Sequence, residues 1–265
     1  MFTLGVIGCG NMGSAILKGV LDNGLVSPEK TVVCDRSGKN FGLFEKQGVR
    51  CFKDNFEACG AQYLFLAVKP QGMPKLCEEI REKIPADTVI ISIAAGLSLE
   101  KLSQMLGQER PVIRAMPNTP AMVGMGMTAL CPGRNVTEEQ TENALRLFSA
   151  VGNVKICDES WIDAVVGICG SAPAYVFMFI DALADAGVAE GMPRKAALEF
   201  AENAVMGSAA LALKTGMHPG ELKDMVCSPA GTTIEAVRCL EKAGFRSAVT
   251  EAAVICAEKN RQLGK

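Results

Sequence analysis

The chain has 265 residues, 49% of them hydrophobic and 21% charged, with a formal net charge of −2 at pH 7. That balance offers no basic field for nucleic acid or anionic lipid, so neither is expected as a partner. Cys 11 and His 1 are the counts of soft ligands; the cysteines are scattered, none in a C-x-x-C pair, so no metal site is expected and free thiols in a reducing, cytoplasmic setting are. The chain opens without a basic segment and runs at once into a strand pattern, unlike a secretory signal.

In chain order, β-branched and apolar runs predict strands at residues 4–7, 31–34, 63–68, 89–93 and 112–114, with helical patterns at 12–23, 72–83 and 99–106 between them. Strands alternating with helices predict parallel β-α-β units, hence an α/β fold with an N-terminal Rossmann-type doubly wound sheet. Two more apolar runs, 127–131 and 154–157, flank a helix that opens with Thr137 and Gln140, the form of a capping box. Beyond about residue 160 the strand rhythm stops. Residues 161–187, 194–215, 220–226, 234–242 and 247–262 all read as helices, with Gly and Pro breaks between them. The expected division is therefore a dinucleotide-binding domain at 1–160 and an all-helical domain at 161–265. Several helices of the second half are apolar on more than one face, which predicts burial against another chain. The uncharged run 164–180 sits at the short limit for a membrane span and contains Gly167, Gly170 and Pro173, so an interface helix is predicted there instead.

Gly8-Cys9-Gly10-Asn11-Met12-Gly13 is a G-x-G-x-x-G sequence at the end of the first strand and the start of the first helix, and Asp35 closes the second strand. In that context the first glycine permits the tight turn, the second lets backbone approach a pyrophosphate, and the third lets helix and strand pack closely. The helix start adds N–H groups and a positive dipole end. Cofactor choice hangs on one loop. Asp35 suits the ribose 2′-OH of NAD and repels the 2′-phosphate of NADP, whereas Arg36, Ser37 and Lys39 can bind that phosphate if Asp35 turns away. NADP is the expected cofactor, with NAD as the alternative. In a doubly wound sheet the ligand lies beyond the carboxyl ends of the strands, which adds 67–71, 92–96 and 116–120 to the lining. Lys69 is read as positioning ribose or phosphate, because an ammonium near pKa 10.4 is a poor acid at neutral pH.

In the helical half, Ser228-Pro229-Ala230-Gly231-Thr232-Thr233 is a turn of small residues entering a helix. Exposed N–H groups and hydroxyls there can cradle a carboxylate. A plain helix cap at Thr232 or Thr233 explains the same residues equally well, and local sequence does not separate the two.

The segments AVKPQ (67–71), SIAAG (92–96), RAMPNTPAMVGMG (114–126), GSAPAYVFMFIDALADAGV (170–188) and HPGELKDMVCSPAGTTIEAV (218–237) resemble pyrroline-5-carboxylate reductases along essentially the whole chain. Ala172 and Ala230 stand where glycine is common in these motifs, and neither change removes a functional group. The resemblance implies hydride transfer from the reduced nicotinamide to the C=N carbon of a cyclic imine carboxylate, L-1-pyrroline-5-carboxylate, giving L-proline. It implies that Ser228, Gly231, Thr232 and Thr233 hold the substrate carboxylate with Met225 lining the pocket, and that Thr233, near the ring nitrogen, is the candidate catalytic residue. Asn55 is placed at the cofactor ribose, and Val68, Lys69, Pro70, Ala95, Gly96, Met116 and Asn118 along the cofactor groove. A homodimer through the helical domain is implied, with a higher ring such as a decamer as an extension, and a neighbouring subunit helping to complete the site.

An iminium is already a good hydride acceptor, so alignment of two rings suffices and no catalytic histidine is needed. His218 and Tyr175 are read as structural. The β-hydroxyacid dehydrogenases share the two-part layout but use a lysine early in their helical domain, and residues 167–179 contain none. A non-catalytic nucleotide-binding protein is the remaining class; it would be marked by a degraded carboxylate loop, and residues 218–237 look intact.

Overall fold

The computed structural model describes residues 2–263. Eight strands form one sheet: β1 (Leu4–Ile7), β2 (Thr31–Cys34), β3 (Arg50–Phe52), β4 (Tyr63–Leu66), β5 (Val89–Ser92), β6 (Val112–Met116), β7 (Gly126–Pro132) and β8 (Gly152–Ile156). Their order is β3-β2-β1-β4-β5-β6-β7-β8, parallel throughout except where β7 runs antiparallel to β6. That reversal follows from chain length. The connection 117–125 is shorter than the dozen or so residues a parallel crossover needs. Strands β1, β2, β4 and β5 are buried at every position, as expected where helices cover both faces.

The helices of this part are α1 (Asn11–Asp22), α2 (Phe41–Glu45), α3 (Phe56–Cys59), α4 (Met73–Ile80), α5 (Leu99–Leu106) and α6 (Glu138–Ser149). Alternate strand residues feed two separate cores. On one face Val6, Val33, Phe65 and Ile91 pack with Ile16 and Leu17 of α1 and Phe148 of α6. On the other, Ile7, Val32, Leu64 and Ile90 pack with Leu76 and Ile80 of α4 and Leu102 of α5. Burying side chains such as Leu17 contributes about 1.5–3 kcal/mol each. The Thr137–Gln140 capping box is present at α6, with both reciprocal hydrogen bonds formed.

The predicted helix at 161–187 is not continuous. It comprises α7 (Ile162–Val165), a π-helical turn at Val166–Gly170, and α8 (Ala172–Ala189), with the Ser171 N–H bonded back to the Val166 carbonyl at 2.9 Å. The prediction also passed over β3, α2 and α3, each too short to show a period. The remaining helices are α9 (Arg194–Thr215), α10 (Pro219–Val226), α11 (Thr232–Lys242) and α12 (Phe245–Leu263).

The chain divides into two compact units. One runs to Ser171 and takes back the chain from Ile255; the other is Ala172–Val254. In the first, Asn260 donates to Asp163 at 2.6 Å and the Cys256 thiol to Ser171 at 3.0 Å, while Glu159 accepts from Arg114 at 2.8 Å and from the Leu99 N–H at 2.7 Å. In the second, α8 and α9 approach closely over Ala184, Ala197 and Ala201. Much of this second unit's apolar surface stays uncovered, including Phe177, Met178, Phe200 and Leu213, the last 82% exposed. The stretch Glu159–Ala189 is long and apolar enough to cross a membrane by composition alone. Its π turn and the wide apolar exposure of α9 instead fit a surface that meets another subunit.

Candidate active site

The strand order reverses between β1 and β4, and ligands of open α/β sheets bind above the strand ends at such a point. The turn after β1 is shaped for this. Gly8 has φ +102°, and a Cβ on it would lie 2.7 Å from the Ala67 carbonyl oxygen at the end of β4. A Cβ on Gly13 would lie 2.3 Å from the Gly8 oxygen, so both positions exclude a side chain. Gly10 differs: nothing lies within 4 Å of the Cβ it would carry, and α1 starts there without a side-chain cap. Open space above an uncapped helix start is what a pyrophosphate requires.

Two cavities extend from this turn and share Val68. Gly8, Asp35, Arg36, Ser37 and Asn55 line the first; Gly10, Asn11, Met12, Lys69, Pro70, Ala95 and Met116 line the second. Four other candidate cofactor residues sit behind this lining. Cys9 and Gly13 are buried in the turn, Gly96 is a buried glycine with φ +75°, and Asn118 is occupied elsewhere. The Asn118 side-chain oxygen accepts from the Met127 N–H at 2.9 Å, and its amide donates to the Cys169 carbonyl at 3.3 Å.

Asp35 is turned inward. One carboxylate oxygen accepts the Cys9 N–H at 2.7 Å; the other accepts the Ser37 hydroxyl at 2.6 Å, the Ser37 N–H at 2.8 Å and the Gly38 N–H at 3.2 Å. Partial burial pushes this carboxyl up, but the Ser37 hydroxyl and the three N–H groups outweigh it and hold its pKa below the ordinary value. Arg36 projects from the same loop and bonds Glu79 of α4 at 2.6 Å. Glu79 also accepts from the buried Asn55 at 3.1 Å. Glu79, Ser14 and Asn40 were not anticipated from sequence. The last two both donate to the Cys9 carbonyl, at 3.0 and 2.6 Å. Ser14 follows the glycine motif directly and was within reach of inspection; Glu79 and Asn40 lie far along the chain with no local pattern.

In the helical unit, α11 begins at Gly231 as N-cap with no side-chain cap. Thr232 and Thr233 occupy its first turn, so neither serves as the plain helix cap. Gly231 donates its N–H to the Ser228 carbonyl at 3.0 Å, and a Cβ on Gly231 would lie 2.3 Å from the Ser228 hydroxyl oxygen. Ala230 holds φ +56°, a left-handed conformation unusual for a residue with a Cβ. The loop thus presents Ser228, Thr232 and the first N–H groups of α11 in one tight turn, with Met225 exposed at the end of α10. His218 is structural: its Nδ1 accepts the Gly220 N–H at 3.0 Å and caps α10. Tyr175 donates to the Ala252 carbonyl at 3.4 Å within the helical unit.

Comparison with known proteins gives these features a common setting. Residues 159–263 match the family model described as pyrroline-5-carboxylate reductase dimerisation, and residues 3–96 match one described as NADP oxidoreductase, coenzyme F420-dependent. Pyrroline-5-carboxylate reductase of Escherichia coli (strain K12) is 50% identical over 264 residues, 99% of this chain and 98% of the relative. The Arabidopsis thaliana enzyme of that name is 41% identical, covering 100% of this chain and 96% of the relative. The crystal structure of Plasmodium falciparum pyrroline carboxylate reductase with NADP bound superposes with a TM-score of 0.92 at 30% identity, covering 100% of this chain and 98% of that one. With 50% and 41% identity to relatives of that name over almost its full length, the chain belongs to the pyrroline-5-carboxylate reductase family.

Proposed function

We propose that the chain reduces the C=N bond of L-1-pyrroline-5-carboxylate to L-proline, the last step of proline biosynthesis, with NADPH as the reductant. The observation that carries this reading is the 50% identity to the E. coli enzyme over 264 residues. When bound, the reduced nicotinamide would supply a proton with two electrons, as hydride, to the imine carbon, and a separate proton on the ring nitrogen completes the amine. The chain's own work is placement. The turn Gly8 to Gly13 receives the pyrophosphate, and Arg36, beside Ser37, receives the 2′-phosphate, which Asp35 permits by spending its carboxylate on Cys9, Ser37 and Gly38. Asn55 faces the ribose; Val68, Lys69, Pro70, Ala95, Gly96 and Met116 shape the groove, with Cys9 and Asn118 fixing the backbone behind it.

Ser228, Thr232 and Thr233, with the uncapped start of α11, hold the substrate carboxylate over the close turn that Gly231 allows; Met225 covers the ring. Thr233 sets its hydroxyl toward the ring nitrogen. Fixing one charged end orients the imine carbon, a proximity effect that can supply several kcal/mol. The functional division is a cofactor domain at 1–160 and a substrate and dimerisation domain at 161–265. The exposed apolar faces of α8 and α9 support a homodimer, with a ring such as a decamer as an extension of that reading, and free thiols support a cytoplasmic setting.

The test is NADPH consumption with L-1-pyrroline-5-carboxylate and identification of the product by mass spectrometry. Stoichiometric proline is the expected result. Folded protein that binds nucleotide yet forms no proline overturns the assignment.

A further inference from the structure

Glu79 holds two donors with its two oxygens: Arg36 at 2.6 Å and Asn55 at 3.1 Å. Asn55 is 4% exposed, whereas the Arg36 side chain is 60% exposed and that of Glu79 is 28% exposed. The buried amide therefore anchors the carboxylate, and Arg36 is the partner free to swing away. Arg36 and Asn55 line the same cavity as Asp35 and Ser37. Asp35 is committed to the Cys9 N–H and to the Ser37 and Gly38 donors, so the acidic group with a direct grip on Arg36 is Glu79.

We propose that Glu79 restrains the preference for NADPH over NADH by competing with the cofactor's 2′-phosphate for Arg36. The inference rests on Arg36 as the 2′-phosphate ligand. A phosphomonoester carries close to two negative charges at neutral pH. To engage Arg36 it must approach a carboxylate that Asn55 keeps in place, and like charges there weaken binding. A 2′-hydroxyl carries no charge and meets no such repulsion. One site thereby accepts both dinucleotides.

The experiment is calorimetric binding of 2′-phospho-ADP-ribose and of ADP-ribose to wild type, Glu79→Gln and Arg36→Gln. Glutamine keeps one acceptor for Asn55, while the loss of the charge and of the second acceptor releases Arg36. Glu79→Gln is expected to tighten 2′-phospho-ADP-ribose by about three- to tenfold and to leave ADP-ribose within about twofold, with the KM for NADPH but not for NADH following. Arg36→Gln is expected to weaken only the phosphorylated compound, by about tenfold. If Arg36→Gln shifts the ratio of the two affinities and Glu79→Gln leaves it unchanged or lowers it, the role of Glu79 is overturned while Arg36 stands. If Arg36→Gln leaves the ratio unchanged, the Arg36 reading fails and the inference with it.

Discussion

The Asp35 carboxylate accepts the backbone N–H of Cys9 at 2.7 Å, tying the loop after β2 to the glycine turn after β1. Residues 26 apart in sequence are thus locked together beside the turn proposed to receive the pyrophosphate. Substituting Asp35 by Asn removes the charge and replaces one acceptor oxygen with an NH2 donor, so either the Cys9 N–H or the Ser37 and Gly38 donors face a donor. Both NADPH and NADH are expected to bind about tenfold more weakly, since hydrogen bonds to a charged group contribute roughly 1.5–3 kcal/mol each before solvent screening. Steady-state KM for the two cofactors checks this. A loss confined to NADPH would mean that Asp35 acts on the 2′-phosphate and not on the turn.

The same pair predicts a pH dependence. Unfolded, an aspartate titrates near 3.9, roughly, and the folded value lies below that. As pH falls, the unfolded chain takes up the proton first. The stability from Asp35 is therefore fully present above about pH 4 and is lost as pH drops through the lower folded value. The melting temperatures of wild type and Asp35→Asn are expected to differ at neutral pH and to converge in acid. A gap that widens on acidification contradicts the assignment.

The loop proposed to hold the carboxylate predicts opposite outcomes at neighbouring positions. Gly231→Ala puts a Cβ into the Ser228 hydroxyl and should raise the KM for the imine at least about tenfold without changing cofactor KM. Ala230→Gly relieves a left-handed alanine that costs roughly 1–2 kcal/mol, less about 0.5–1 kcal/mol of added unfolded-state entropy. Thermal unfolding is expected to show Ala230→Gly equal to or slightly more stable than wild type. Clear destabilisation would show that the methyl group has a packing role.

Thiol reactivity should follow burial. Burial pushes the thiols of Cys34 and Cys131 up to about 12, with the hydrogen bond to Cys157 adding to the second, and those of Cys59 and Cys77 up to about 11. Cys239 is the exposed cysteine among the described residues. Iodoacetamide on the folded protein, read by peptide mapping, is expected to modify Cys239 first and leave Cys34 and Cys77 until unfolding, since the thiolate is the reacting form. Early modification of Cys34 would contradict the buried placement of β2.

Much of the fold was legible because periodicity is local. Uninterrupted apolar runs such as Leu4–Ile7 and Val89–Ser92 carry the signal of strands covered on both faces. The glycine turn was legible because each glycine answers a separate steric demand. Arg50–Phe52 and Phe56–Cys59 carried too few residues to show a period. The π turn at Val166–Gly170 lies inside an apolar helix pattern that looks continuous, since one extra residue in a turn leaves no mark in composition. Inward rotation of Asp35 depends on donors from Cys9, Ser37 and Gly38 converging in space, and the Arg36–Glu79 pair on the packing of α4; neither relation has a fixed spacing to read.

The most direct test is the single-turnover and steady-state reduction of L-1-pyrroline-5-carboxylate by wild type and Thr233→Ala, with NADPH binding measured alongside. Loss of one hydroxyl proposed to hold the substrate is expected to lower kcat/KM about 10- to 100-fold, the equivalent of roughly 1.4–2.8 kcal/mol, while NADPH affinity and melting temperature stay close to wild type. A variant that reduces the imine as fast as wild type would contradict the placement of the substrate on the turn that opens α11.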